Sequence, residues 1–399
     1  MQNNLLQKYL QKRVSVQRCP FFIGLCLLFL ASLVSCRQAG SGDSGKRSSF
    51  RADSTLNLLY AKGFSIQYGE DCQRVTVRNP WSRSDKPLQV YYLYRELPRH
   101  CPADGVCVKV PLKALGIGSC THVEFLNCLG VLPTVQGACN VERLYNEYLR
   151  TSRQEGRLAD LGDAFQLNVE KTVSLGLDAL MVSGQSQMDE RLAFLQKNGL
   201  PVVYNNEWME ETLLGRAEWI RFVGAFFDCE SLADSLFRET ERACESIRKT
   251  VEQAGEERPS VLTGEDFRGT WYLPGGRSFL AQAIRDAGGT YAYASDTTRG
   301  SLPTNLESVL CDMSQSDCWV GVDYASLEDM ARADRRYTLF KAWQEHRVYS
   351  WHRFSTPQGG SDFWESAVAH PDWLLSDLAS LLHPDLFPGT EWHFLRQLK

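Results

Sequence analysis

The stretch Leu112-Lys-Ala-Leu-Gly-Ile-Gly-Ser-Cys-Thr-His-Val-Glu-Phe-Leu-Asn-Cys-Leu-Gly130 places a short apolar run, a glycine-serine turn and a helical apolar pattern in direct succession. Residues 112–117 are predicted as a buried strand and 121–129 as a helix, because a short apolar run closed by glycine fits a strand, whereas the next apolar residues recur at helical spacing. The alternation continues downstream with a helix at 170–175, the strand Ala179-Leu-Met-Val182, a helix at 188–197 and the strand Val202-Val-Tyr204. It returns after Pro259 with strands at 260–263, 318–322 and 347–350, and helices at 278–287, 306–310, 339–346 and 372–382. Such a rhythm predicts mainly parallel sheets covered by helices. The fold class is therefore α/β, and 399 residues exceed what one core usually holds, so two three-layer lobes are expected.

Between the lobes, residues 228–253 carry Leu232, Leu236, Phe237, Ala243, Ile247 and Val251 at helical spacing, with Asp228 as the expected N-cap. A single long helix is expected to join the lobes as a stiff strut. Upstream, the runs 64–68, 74–78, 89–94 and 106–110 alternate in strand fashion between turn-forming segments and predict an antiparallel β extension; the sequence assigns it no function, and covering a sheet edge is one structural role open to it. The resulting division is an export segment 1–35, a tether 36–55, the β-rich extension 56–111, an N-terminal lobe 112–227, the linking helix 228–254 and a C-terminal lobe 255–399.

The first 18 residues carry Lys8, Lys12, Arg13 and Arg18 and no acid, and Phe21 to Val34 is an apolar run of 14 residues. That is short of the roughly 20 needed to span a bilayer as a helix and suits a signal peptide. The run ends Leu33-Val34-Ser35-Cys36, which resembles the bacterial lipobox and makes Cys36 the expected lipidated N-terminus of an exported, membrane-anchored chain facing the periplasm. The Gly/Ser-rich 37–49 segment then acts as a flexible tether. The net charge of -5 becomes about -9 once the four basic residues are removed, which excludes the basic footprint of a nucleic-acid binder.

Of 13 cysteines, three belong to the export segment. Disulfides are permitted in an exported body, and the close pairs Cys101/Cys107 and Cys311/Cys318 are the first candidates. No C-x-x-C pair occurs, so a structural zinc site is not expected, and Cys120, Cys128 and Cys244 also fit buried free thiols. The chain has no complete dinucleotide-binding glycine pattern, no phosphate-binding loop, no G-x-S-x-G in the body and no H-E-x-x-H. Nothing here motivates an enzyme or a resident cofactor.

Several phrases in the right order resemble the substrate-binding proteins of ABC importers, in the metal-chelate class that takes ferric siderophores, haem or cobalamin. They are the opening stretch 112–130, Leu161-Gly-Asp-Ala-Phe-Gln-Leu-Asn-Val-Glu170 with its continuation to Leu180, Trp271-Tyr-Leu-Pro-Gly-Gly-Arg-Ser-Phe279, Ala287-Gly-Gly289 and Ser301-Leu-Pro-Thr-Asn-Leu-Glu-Ser-Val-Leu310. The sequence departs from the family pattern where Gly176-Leu177 replaces the usual Lys-Pro and where Cys120-Thr-His replaces the commoner Ser-Pro. The resemblance implies a monomer that hands an iron complex, haem or alternatively cobalamin to an inner-membrane permease and its ATPase. It also implies that Glu170 and Glu307, one on each lobe, dock onto permease arginines. On the helices themselves the same glutamates suit the first turn behind the caps Asn168 and Asn305.

A ligand is expected between the lobes, where the strand C-terminal ends face each other, on loops carrying Ser119, His122, Phe165, Trp208, Trp271, Tyr272, Arg277, Trp351, His352 and Arg353. Aromatic faces suit a flat macrocycle and arginines suit its carboxylates. His122 or His352 would serve as an axial ligand to haem iron, since two histidines do not make a free-metal centre. A stiff linking helix predicts only a small closure on binding. A cell-envelope chelatase or hydrolase on a similar shell, or a purely structural lipoprotein, are the competing classes.

Overall fold

In the N-terminal lobe the strands Val202–Tyr204, Ala179–Val182, Leu115–Ile117, Val135–Ala138 and Ala159–Asp160 form one sheet in that order, with every neighbouring pair parallel. These are features of a computed structural model that describes residues 50–399 apart from 83, 188, 256 and 257. The export segment, Cys36 and most of the tether lie outside the described residues. All four residues of Ala179–Val182 are buried, which is why an interior parallel strand reads as an unbroken apolar run. At Gly116 a Cβ would sit 2.8 Å from Leu177 and 2.9 Å from Leu180, so only a bare backbone lets those leucines close over the sheet. The strand Val135–Ala138 and the helix Glu147–Gln154 that follow were not foreseen.

The C-terminal lobe repeats the plan with Val261–Thr263, Cys318–Val320 and Val348–Ser350 in parallel, closed by the antiparallel strand Arg396–Gln397. A second, antiparallel sheet of Asp266–Phe267, Thr270–Pro274 and Ser301–Thr304 was absent from the sequence reading. The helix expected at 339–346 shrinks to Lys341–Gln344, preceded by a 3-10 turn Arg335–Leu339.

The linking helix is Glu230–Val251, 22 residues or about 33 Å at 1.5 Å per residue. Asp228 does not cap it. Asp228 has φ +62° and its carboxylate lies 2.7 Å from Arg95, while Cys229 occupies the cap position without a side-chain bond. The helix packs against Trp219–Ala225 and Pro371–Leu382, one from each lobe. Residues 213–227 are buried throughout because the extension, the lobe and the linking helix enclose them, and the charged members Arg216, Glu218 and Arg221 are paired with carboxylates or guanidinium groups.

The extension forms a five-stranded sheet in chain order: Ser54–Thr55, Phe64–Tyr68, Gln73–Val77, Gln89–Tyr94 and Val106–Lys109. Its last pair is parallel, which corrects the all-antiparallel expectation. The sheet covers an edge of the N-terminal lobe. The Tyr91 hydroxyl donates to the Val202 carbonyl and accepts from the Tyr204 N–H, both at 2.9 Å, so a side chain satisfies the outer strand that no further strand pairs. Cys101 and Cys107 are joined by a disulfide. Cys311 and Cys318 are not, because Cys311 is exposed on the helix Leu306–Met313 whereas Cys318 is buried in its strand.

Candidate functional site

Parallel strands end on the same side, and the loops leaving four of them open together. Gly118-Ser119-Cys120, Cys139-Asn140, Ser183-Gly184 and Tyr204 line a cavity of about 630 Å³ at the C-terminal ends of the N-terminal sheet. A second wall is Lys86-Pro87-Leu88, from the loop between the extension strands Gln73–Val77 and Gln89–Tyr94. The third is the small hairpin of Gly162–Asp163 and Gln166–Leu167, with Phe165 at its tip.

That tip is held from several directions. The Phe165 N–H donates to Asp163 Oδ1 at 2.8 Å, Asn140 Nδ2 donates to Asp163 Oδ2 at 2.9 Å, and the Ala164 N–H donates to Asn140 Oδ1 at 3.2 Å. Arg191 Nη2 donates to the Phe165 carbonyl at 2.7 Å. The donors from Asn140 and Phe165 hold the Asp163 carboxyl below its usual range. The ring is 66 % exposed, so a braced backbone presents an aromatic face to water beside a cavity. Covering that face is favourable at roughly 25 cal/mol per Å² of apolar surface.

Of the residues expected at the crevice, Ser119 and Phe165 line this cavity. Ser119 Oγ accepts from the Thr121 N–H at 3.3 Å and starts the turn into the helix Val123–Cys128. His122 is wholly buried under the floor, with Nε2 3.5 Å from the hydroxyl of the lining residue Ser183; burial lowers it to about 4. A buried ring cannot reach a haem iron, which corrects its role as an axial ligand.

Trp271 is likewise buried, stacked on Trp319 at 5.6 Å with its indole N–H donating to the Thr263 carbonyl at 2.9 Å. It packs the C-terminal core rather than the crevice. Trp351 lies flat on Phe363 at 5.0 Å and is also buried; it crowds Gly321, φ +83°, where a Cβ would stand 2.5 Å from its indole nitrogen. His352 Nδ1 is 2.8 Å from Ser361 Oγ. Arg353 pairs with Glu391 at 2.6 Å on the surface. Trp208, Tyr272 and Arg277 are exposed but do not line the cavity, and Trp208 leans on Trp81 of the extension at 6.3 Å. Lys86 and Arg143, which do line it, were missed. No local pattern marks them, since the fold alone brings an extension loop and an irregular segment to the strand ends.

No described residue of the C-terminal lobe lines this cavity, which corrects the expectation of a site between the lobes; the C-terminal lobe abuts the same side near Gly360 and Glu365. A Cβ on Gly360 would lie 2.6 Å from the Arg143 carbonyl oxygen. Glu365 accepts the Tyr145 and Asn146 N–H groups at 2.6 and 2.8 Å; burial pushes its carboxyl up to about 7 and the two donors partly offset that. Asn168 and Asn305 cap their helices at 3.0 and 2.9 Å, and Glu170 and Glu307 stand exposed in the first turns. Glu307 is 2.5 Å from Arg336. Among the described residues no helix is long and apolar enough to cross a membrane.

A family model described as periplasmic binding protein matches residues 122–353, more than half of the chain. An uncharacterised lipoprotein of Methanocaldococcus jannaschii is 26 % identical over 93 % of this chain and 94 % of its own length. A periplasmic haem-binding protein of Pseudomonas aeruginosa superposes with a TM-score of 0.55 at 15 % identity, covering 72 % of this chain and 98 % of the other. The vitamin B12-binding protein of Vibrio cholerae does so with a TM-score of 0.51 at 13 % identity, over 70 % and 99 %. At such identities the two structures show a shared two-lobed fold.

Proposed function

The chain belongs to the periplasmic binding protein family, and from that premise we propose that it captures an iron complex, a ferric siderophore or haem, and delivers it to an ABC permease and its ATPase in the inner membrane. The observation that carries this reading is the 630 Å³ cavity at the strand ends, within the roughly 300–1,000 Å³ of small-molecule sites, with Phe165 held over it. Lys86 and Arg143 supply cationic groups for the carboxylates or phenolates of a chelate, and Phe165 supplies a flat apolar face. The metal complex is cargo rather than a resident cofactor, and no catalytic step is needed. Cys36 carries the lipid that keeps the body at the membrane.

The test is the absorption spectrum of the full chain purified in detergent, followed by titration with haem, ferric catecholates and cobalamin, which differ in colour. Saturable binding of an iron complex supports the reading. Preference for cobalamin moves the cargo within the class, and failure to bind any of the three overturns the proposal.

A further inference from the structure

We infer that Glu124, Cys128 and His370 form a binding site for a divalent transition-metal ion of the zinc type, which pins the two lobes together away from the cargo cavity. Glu124 and Cys128 stand four residues apart on the helix Val123–Cys128 of the N-terminal lobe, hence on one face. His370 comes from the C-terminal lobe, immediately before the helix Pro371–Leu382. Glu124 Oε1 is 3.1 Å from His370 Nε2, Cys128 Sγ is 3.6 Å from the same nitrogen, and Cys128 Sγ is 3.4 Å from Glu124 Oε1.

Those three separations are the edges of a coordination tetrahedron. Zinc bonds of about 2.3 Å to sulfur and about 2.0–2.2 Å to nitrogen and oxygen, at tetrahedral angles, place S and N or S and O about 3.6 Å apart and N and O about 3.4 Å apart. An ion can therefore enter with shifts of a few tenths of an ångström. Cys128 is a free thiol, and the mixed sulfur, nitrogen and oxygen set suits zinc rather than calcium or magnesium. The His370 ring is already oriented, stacked on Trp373 at 3.8 Å between ring centres.

A second observation supports the same place. Cys128, His370 and Asp372 line a separate cavity of about 240 Å³ against the linking helix, and none of its lining residues belongs to the cargo cavity. Asp372 Oδ1 is enclosed with no hydrogen-bond partner among the described residues, an unmet acceptor on a residue that lines the same cavity as Cys128 and His370. On binding, the Cys128 thiol gives its proton to water and coordinates as thiolate; nothing is oxidised.

The experiment strips the full chain, in detergent and reductant, with a chelator and titrates it with cobalt(II). One equivalent should produce a thiolate-to-cobalt charge-transfer absorption in the near ultraviolet, which zinc(II) then abolishes, and zinc should raise the melting temperature. Cys128→Ser should remove the band, and His370→Gln, a second variant less disturbing to packing, should weaken cobalt binding at least tenfold. Both variants should keep the cargo titration of the parent, which separates this site from the proposed transport function. A band that persists in Cys128→Ser, no band in the parent, or cargo binding lost with the thiol would each overturn the inference.

Discussion

Arg221 Nη1 lies 2.9 Å from Glu218 Oε1, and both side chains are almost completely buried. The same carboxylate accepts the main-chain N–H groups of Leu59, Tyr60 and Ala61 at 3.0, 2.8 and 2.7 Å. This pair inside the N-terminal lobe thus clasps the segment between the first two strands of the β extension. Such a pair survives burial because its remaining lone pairs are occupied; Arg221 also pairs with Asp234 at 2.5 Å, so losing the Glu218 charge acts chiefly through the three main-chain donors it accepts.

Replacing Glu218 with Gln should accordingly destabilise the chain by about 3 kcal/mol and loosen the extension. Urea unfolding measures the first effect, and amide exchange at residues 57–68 measures the second. A change below about 1 kcal/mol would show that the clasp contributes little.

Phe165→Ala should weaken cargo binding at least tenfold while leaving the urea midpoint nearly unchanged, because the ring is mostly exposed and packs little of the core. Equal affinity in the variant would remove Phe165 from the site. Trp271→Phe should behave in the opposite way, costing stability without changing affinity, since its indole stacks on Trp319 and donates to the Thr263 carbonyl.

This contrast shows what was legible in the sequence. Phe165 was expected at the crevice from the family resemblance of the stretch 161–180, and the fold keeps that stretch beside the cavity. Trp271 was misplaced because 270–274 was read as a loop. In the strand Thr270–Pro274 successive side chains face opposite ways, turning Trp271 and Leu273 inward and Tyr272 outward. The strands Ala179–Val182 and Val202–Tyr204 were legible as short apolar runs, since nothing charged interrupts them. Lys86 was not, because its position over the cavity depends on the extension docking at a sheet edge through Tyr91, a contact between residues 111 or more apart.

His122 makes stability fall in mild acid. Its ring has an ordinary value of 6.5 and burial lowers it to about 4 in the folded chain. Between those values the unfolded chain holds the proton and the folded chain does not, so this contribution is complete above about pH 6.5 and is lost as the pH falls through 4. The span is worth on the order of 3 kcal/mol. Glu265 and Glu365, raised by burial to about 7, act in the other sense, favouring the folded chain below their ordinary values and withdrawing that support as the pH rises through 7. Comparison with His122→Gln isolates the histidine. The melting temperature of the variant should fall less than that of the parent between pH 6.5 and pH 4, and identical slopes would sink the assignment.

Glu170 and Glu307, the two glutamates expected to dock on a permease, are not equivalent in the free protein. Glu170 is exposed and Asn168 caps its helix, whereas Glu307 is already 2.5 Å from Arg336, which is also held by Asp334 at 2.6 Å. If docking uses these carboxylates, a permease arginine would have to share or displace Arg336 to reach Glu307, whereas at Glu170 it would meet an exposed carboxylate. Glu170→Ala should therefore weaken permease association more than Glu307→Ala, with the double variant weakened at least tenfold and cargo affinity unchanged. Arg336→Ala separates the two roles of Glu307, because it frees that carboxylate and should strengthen association if docking uses it. Association of the purified chain with the permease in detergent, measured at low and moderate salt, reads all four variants, since exposed charge pairs weaken as salt screens them. Unchanged association in the double variant would reduce both glutamates to first-turn residues that complement their helix dipoles.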